Sequence, residues 1–127
     1  MKKVRLAIIG AGFVSQLAHL PSFYSNPKVK IVALCDLNKK LLDKVSKKFQ
    51  IFSTYTSHRE MLRKEQLDAV ILVVQRSKIE SVAMDVLKAG IPLLSEKPAA
   101  LSYSSAKKLC DLAKKNKTKY LIGYMKR

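Results

Sequence analysis

Val4-Arg5-Leu6-Ala7-Ile8-Ile9-Gly10-Ala11-Gly12-Phe13-Val14-Ser15 decides the fold. The first six residues are apolar apart from Arg5, the pattern of a strand buried on both faces, and such strands belong to parallel sheets covered by helices. Gly10 permits a tight turn out of the strand. Gly12 lets the backbone come close to a pyrophosphate, and Phe13 and Val14 then open a helix whose first amides and dipole favour phosphate. The third position of this glycine pattern is Ser15, which relaxes the motif but is small enough for close packing of helix on strand.

The elements downstream alternate as this start requires. The helix expected from about Phe13 meets Pro21, which predicts a kink or an early end near Leu20, and Asn26-Pro27 closes it. Val29 to Cys35 reads as a second strand. Asn38 is an N-cap for a helix carrying Leu41, Leu42, Val45 and Phe49 on one stripe, with Leu37 and Leu42 spaced as a hydrophobic staple. A third strand is expected over Ile51 to Thr54 and a short helix over Ser57 to Lys64. Ala69 to Val74 is the clearest buried strand, followed by a helix with Ile79, Val82, Ala83, Val86 and Leu87 inward and Gly90 at its end. Pro92 to Ser95 gives a fifth strand. Ser102 begins a helix with Ala106, Leu109, Cys110 and Ala113 inward, and Tyr120 to Tyr124 gives a sixth strand. Six strands alternating with helices predict right-handed crossovers and a doubly wound parallel sheet of the Rossmann kind, one domain over residues 1–127.

Composition narrows the partners. A net charge of +16, from 25 Lys+Arg against 9 Asp+Glu, suits a polyanion when it forms a stripe, but the lysines fall on the polar sides of the predicted helices and no basic-aromatic interleaving accompanies them. Solvated helix faces are the simpler account, and nucleic acid is not the expected partner. Cys35 and Cys110 have neither metal-site nor disulfide-framework spacing, so no metal is expected and both thiols are expected to be reduced. The apolar runs are too short to span a bilayer, and Met1-Lys2-Lys3 leads into a strand instead of a cleavable signal. A cytoplasmic protein without membrane contact is the expectation.

Two further positions point to chemistry. Asp36 ends the second strand, at about the spacing where an acidic side chain hydrogen-bonds adenosine ribose hydroxyls. Its charge repels a 2′-phosphate and favours NAD, while Asn38, Lys39 and Lys40 just downstream keep NADP open as an alternative. A carboxylate capping the second helix is the structural account of the same residue. Glu96-Lys97-Pro98 stands where the fifth strand ends, and ligands of open α/β sheets lie outside the carboxyl ends of the strands. Lys97 is therefore a candidate for chemistry, although taken without this context it is one more surface lysine.

Together, the loop Gly10 to Ser15, the strand end Ala33-Leu34-Cys35-Asp36, Asp68-Ala69-Val70-Ile71, the segment from Ala89-Gly90 to Glu96-Lys97-Pro98 and the closing Gly123-Tyr124-Met125-Lys126-Arg127 resemble the cofactor-binding half of the glucose-fructose oxidoreductase and inositol 2-dehydrogenase (Gfo/Idh/MocA) family. The resemblance implies a hydride transfer between a nicotinamide cofactor and a hydroxyl-bearing carbon of a sugar, cyclitol or nucleotide sugar. It implies that Gly10, Gly12, Phe13, Val14, Asp36, Glu96 and Lys97 bind the cofactor, that Lys97 binds or deprotonates the substrate hydroxyl beside the nicotinamide, and that the Lys97-Pro98 peptide is cis. Desolvation and a nearby nicotinamide cation would favour the basic form of Lys97. Glu96, if paired with Lys97, would hold its ammonium, so it is read as orienting. The chain departs from the family where Val74-Gln75-Arg76-Ser77-Lys78-Ile79 replaces the usual Thr-Pro-Asn and histidine, with Arg76 on a loop facing solvent, an anionic substrate or the pyrophosphate. Family members continue into a second α/β domain that binds substrate and makes subunit contacts; the chain stops as that domain begins, so it is expected to be inactive alone. A non-catalytic dinucleotide-binding module is the alternative. His19 is expected to be packed or capping sooner than catalytic, His58 to be a surface residue at a helix start, and Tyr103, Tyr120 and Tyr124 to contribute to packing.

Overall fold

The computed structural model describes residues 2–98 and 100–123. Its elements are β1 (Val4–Ile9), a π-helical turn (Ser15–His19) continuing into α1 (Leu20–Tyr24), β2 (Val29–Cys35), α2 (Lys39–Lys48), β3 (Ser53–Tyr55), α3 (His58–Lys64), β4 (Ala69–Leu72), α4 (Arg76–Lys88), β5 (Leu93–Glu96), α5 (Tyr103–Lys115) and β6 (Tyr120–Gly123). All strand pairs are parallel, in the order β3-β2-β1-β4-β5-β6. This is the doubly wound arrangement read from the sequence, and the chain reverses direction across the sheet between β1 and β4. Tyr124, expected to end the sixth strand, and Met125 to Arg127 of the family resemblance lie outside the described residues.

Alternation along the strands builds two cores. Ala7, Ile9, Ala33, Cys35, Val70, Leu72 and Leu93 face Met61 of α3, Ile79, Val82, Ala83, Val86 and Leu87 of α4, and Leu109 and Ala113 of α5. On the other face Leu6, Ile8, Leu34 and Ile71 pack with Leu20 of α1 and with Leu42, Val45 and Phe49 at α2. Each large side chain of these clusters that is removed from water contributes about 1.5–3 kcal/mol. The expected N-cap Asn38 accepts from the Leu41 amide, and at the expected starts of α3 and α5 Ser57 accepts from the Glu60 amide and Ser102 from that of Ser105, satisfying donors that a helix start otherwise leaves unpaired.

Of the two outcomes expected of Pro21, the early end does not occur. The helix runs on to Tyr24, and the irregularity falls upstream of the proline, where the Leu20 amide donates to the Ser15 carbonyl, five residues back. A proline lacks the amide that would bond the carbonyl four residues earlier, and its ring crowds that carbonyl; one widened turn relieves both and keeps the helix. Four other expectations are corrected. Leu37 is 77 % exposed while Leu42 is 1 %, so no staple forms between them. Cys110 is exposed, one position past the Leu109 stripe. Tyr103 is 82 % exposed and contributes nothing to packing, whereas Tyr120 packs against the core. His58 does open α3, but its Nε2 lies 2.7 Å from Asp85 Oδ2 of α4, and Arg59 Nε donates to the same oxygen over 3.0 Å.

Candidate active site

Every residue singled out from the sequence for cofactor or chemistry lies at the carboxyl edge of the sheet. Gly10 follows the last residue of β1, Asp36 the last residue of β2, and Glu96 and Lys97 stand at the end of β5. The strand ends are tied to one another. The Gly10 amide donates to the Cys35 carbonyl over 2.7 Å, the Val73 amide to Ile9 over 2.8 Å, and the Asp36 amide to Tyr55 over 3.0 Å. A rigid floor results, on which the glycine loop sits.

The two glycines of that loop are required by different things. Gly10 has φ +109°, and a Cβ there would stand 2.0 Å from the carbonyl oxygen of Val73, so the fold itself demands glycine. A Cβ on Gly12 would meet no protein atom within 4 Å. Nothing among the described residues requires glycine at position 12, and its open backbone leaves room for a pyrophosphate to approach there. The loop carbonyls are turned inward and occupied: the buried Ser15 hydroxyl donates to Gly10 over 2.6 Å, the Gln16 side-chain amide to Ala11 over 2.9 Å, and the Gln16 main-chain amide to Gly12 over 3.0 Å. Ser15 thus replaces the third glycine of the pattern by closing the loop on itself. The amides of Gly12, Phe13 and Val14 donate to no protein acceptor among the described residues, which is the arrangement an anion at a helix start requires.

Asp36 does not itself cap α2, which is capped by Asn38, but fastens the glycine loop to the residue before that helix. Its Oδ2 accepts from the Ala11 amide over 2.7 Å and its Oδ1 from the Asn38 amide over 2.8 Å, so the carboxylate locks the glycine loop to the start of α2. Each oxygen keeps a further lone pair for a ribose hydroxyl. Asn38 is used in capping, Lys39 pairs with Asp43 over 2.9 Å, and Lys40 is exposed. Beside Asp36, the Cys35 thiol is pushed up to about 12, first by burial and then by the aspartate's charge. It stays protonated at neutral pH and offers no thiolate nucleophile.

At the end of β5 the partner of Glu96 is a residue the sequence did not connect with it. Glu96 does not pair with Lys97; its Oε2 lies 2.7 Å from His19 Nε2, across the crevice from the π-helical turn. The two side chains are 18 % and 16 % exposed. His19 was read as packed or capping, and its role as the partner of Glu96 had no local signal because the two are 77 residues apart. Lys97 is exposed, follows the strand end directly, and is joined to Pro98 by a cis peptide. Arg76, expected on a loop, is the exposed first residue of α4. A separate cleft of about 280 Å³ between Arg5, Lys30, Phe52 and Glu65 lies towards the amino ends of β1 and β2, away from the edge where sheets of this kind bind ligands. No group of three or more metal-ligating side chains occurs among the described residues.

A parallel sheet in this order, with a glycine loop after β1 and an acid after β2, defines a dinucleotide-binding Rossmann domain. The profile described as GFO_IDH_MocA, "Oxidoreductase family, NAD-binding Rossmann fold", matches residues 4–124, and the chain belongs to this family of NAD-binding domains. It is 26 % identical over its whole length to the rhizopine catabolism protein MocA of Rhizobium meliloti, covering 39 % of that protein. It is 30 % identical over 113 residues, 88 % of the chain, to the D-glucoside 3-dehydrogenase of Escherichia coli K12, covering 32 % of it. A crystal structure of a Gfo/Idh/MocA family oxidoreductase from Vibrio cholerae superposes with a TM-score of 0.90 at 30 % identity, over 96 % of this chain and 39 % of that one. The chain thus spans between about a third and two fifths of the length of these relatives. No helix among the described residues is long and apolar enough to cross a membrane.

Proposed function

We propose that this chain is the cofactor-binding part of a cytoplasmic oxidoreductase, with the dinucleotide lying along the carboxyl edge of the sheet and its nicotinamide towards Lys97. The observation that carries the placement is Gly12, whose missing side chain leaves open backbone beside the unpaired amides of Phe13 and Val14. The amides of Gly12, Phe13 and Val14 hold the pyrophosphate, and Gly10 shapes the turn that presents them. Asp36 accepts from the adenosine ribose, and its charge favours NAD over NADP. The cofactor supplies a nicotinamide that takes up or gives hydride.

Lys97 takes the proton of a substrate hydroxyl as hydride leaves the same carbon, general base catalysis by an amine in reach of the reacting oxygen. Glu96 orients this end of the crevice. A sugar or cyclitol alcohol is the substrate class supported by the D-glucoside 3-dehydrogenase relative and by an inositol 2-dehydrogenase of Shouchella clausii at 27 % identity. Orientation of substrate against cofactor can contribute roughly 7–11 kcal/mol to lowering a barrier, and relatives about three times longer have further chain with which to supply it. The 127 residues alone therefore bind cofactor without turning over a sugar.

Calorimetric titration with NADH and NADPH tests this reading. Saturable NADH binding, tighter than NADPH, is expected. Saturable binding of neither removes the placement, and tighter NADPH removes only the role given to Asp36. Steady NADH formation from NAD and a panel of inositols and hexoses, abolished by Lys97→Ala, would show that the short chain is an enzyme by itself.

A further inference from the structure

We propose that His19 is a positioning residue that holds the Glu96 carboxylate away from Lys97 and so leaves the lysine unpaired for proton transfer; this rests on the base role given to Lys97 above. Glu96 ends β5 and Lys97 leaves the strand at a bend, so two long, flexible side chains on consecutive residues, whose Cα atoms are about 3.8 Å apart, can be brought within reach of each other by rotamer change. An opposite charge within about 4–6 Å favours the charged form of a group, and the charged form of lysine is no base. Glu96 is prevented from this by its bond to His19, 2.7 Å long.

The geometry around that bond is built to keep it. The imidazole Nε2–H donates to Oε2, since an ionised carboxylate only accepts, and both side chains are largely shielded from water, where such a bond is stronger than an exposed pair. His19 ends the widened turn, which is anchored by fully buried Ser15 before it and fully buried Leu20 after it. On the neighbouring strand Gly123 stands opposite Glu96, and even a Cβ there would be 3.8 Å from Oε2, so the carboxylate has room over β6. The charged groups at this edge among the described residues include Glu96 from β5, His19 from the π-helical turn, Lys97 from the segment after β5, Asp36 after β2, and the exposed Arg76 at the start of α4 after β4. Asp36 is engaged with the Ala11 and Asn38 amides, and Lys97 takes part in no ion pair among the described residues. His19 is thus the side chain that engages Glu96 while Lys97 is left without an ion-pair partner among the described residues.

Competitive labelling of Lys97 with acetic anhydride across pH, read by mass spectrometry on the 127-residue chain, tests this without cofactor. In His19→Ala the midpoint of Lys97 reactivity is expected to move to higher pH by about one unit, as a carboxylate neighbour dictates. His19→Gln, whose side-chain amide still donates, is expected to stay near the parent. The double variant His19→Ala/Glu96→Gln is expected to return to the parent midpoint, which loss of a merely structural histidine would not do. Should alanine unfold the chain, His19→Leu keeps the bulk without the donor and gives the same reading. An unmoved midpoint in the folded single variant, or a shift that persists in the double, overturns the proposal. Because no dinucleotide is present, that outcome is distinct from a failure of NADH to bind.

Discussion

The main-chain amide of Ala11 donates to Oδ2 of Asp36 over 2.7 Å, joining the middle of the glycine loop to the end of the neighbouring strand. The same carboxylate holds the Asn38 amide with its other oxygen. A residue assigned to ribose recognition is therefore also a fastener of the loop that carries the phosphates. Asp36→Ala is expected to leave two amides without their acceptor, at a cost of about 1–3 kcal/mol each where water cannot replace it. Urea denaturation should show a lower midpoint. Calorimetry should show NADH affinity falling about tenfold and the preference for NADH over NADPH shrinking.

Gly10 and Gly12 separate stability from binding. Gly10→Ala would place a methyl group 2.0 Å from a backbone oxygen at a φ that L-residues rarely adopt, and a loss of about 2–4 kcal/mol is expected. Gly12→Ala meets nothing in the protein. Its stability is expected to stay level or rise by up to about 1 kcal/mol, while NADH binding weakens by tenfold or more. Thermal denaturation and calorimetry on the two variants side by side check both halves of the contrast.

The distinction between these glycines shows what sequence can and cannot convey. The pattern Gly10-x-Gly12 was legible as a phosphate loop, and the bounds of β1 and β2 followed from unbroken apolar runs. Asn38 was legible as a cap, and Ser57 and Ser102 as helix starts, because capping is a local matter of one side chain and the amide three residues on. What remained hidden depended on distant partners. The His19 to Glu96 bond joins residues 77 apart, and the His58 to Asp85 bond joins two helices. The π-helical turn was foreshadowed only by Pro21, whose usual effect is to end a helix or bend it. Leu109 and Ala113 of the stripe read on α5 are buried, but Cys110, one position past Leu109, and Tyr103 at the helix start face solvent.

Asp85 gives the stability a defined acid limit. Burial works to push its carboxyl up, but hydrogen bonds and charge from His58 and Arg59 outweigh burial and hold it below the usual value of 3.8. A carboxyl that is more acidic folded than unfolded stabilises fully above the unfolded value, and that contribution is lost as pH falls through the folded one. Asp85→Asn is expected to lower the denaturation midpoint at pH 6 and to lower it less at pH 2.5, because the contribution of the ionised carboxyl is lost progressively as pH falls below 3.8. Chemical denaturation at the two pH values measures this directly; an equal loss at both would show that the ionised carboxyl contributes nothing.

The placement of the dinucleotide on the glycine loop is tested most directly by titrating NADH into the isotopically labelled chain and following each backbone amide by NMR. The largest saturable shifts are expected at Gly12, Phe13 and Val14, followed by those at Asp36 to Asn38 and at Glu96 and Lys97. Saturable shifts confined to other parts of the chain, or none at all, would contradict the site proposed for this domain.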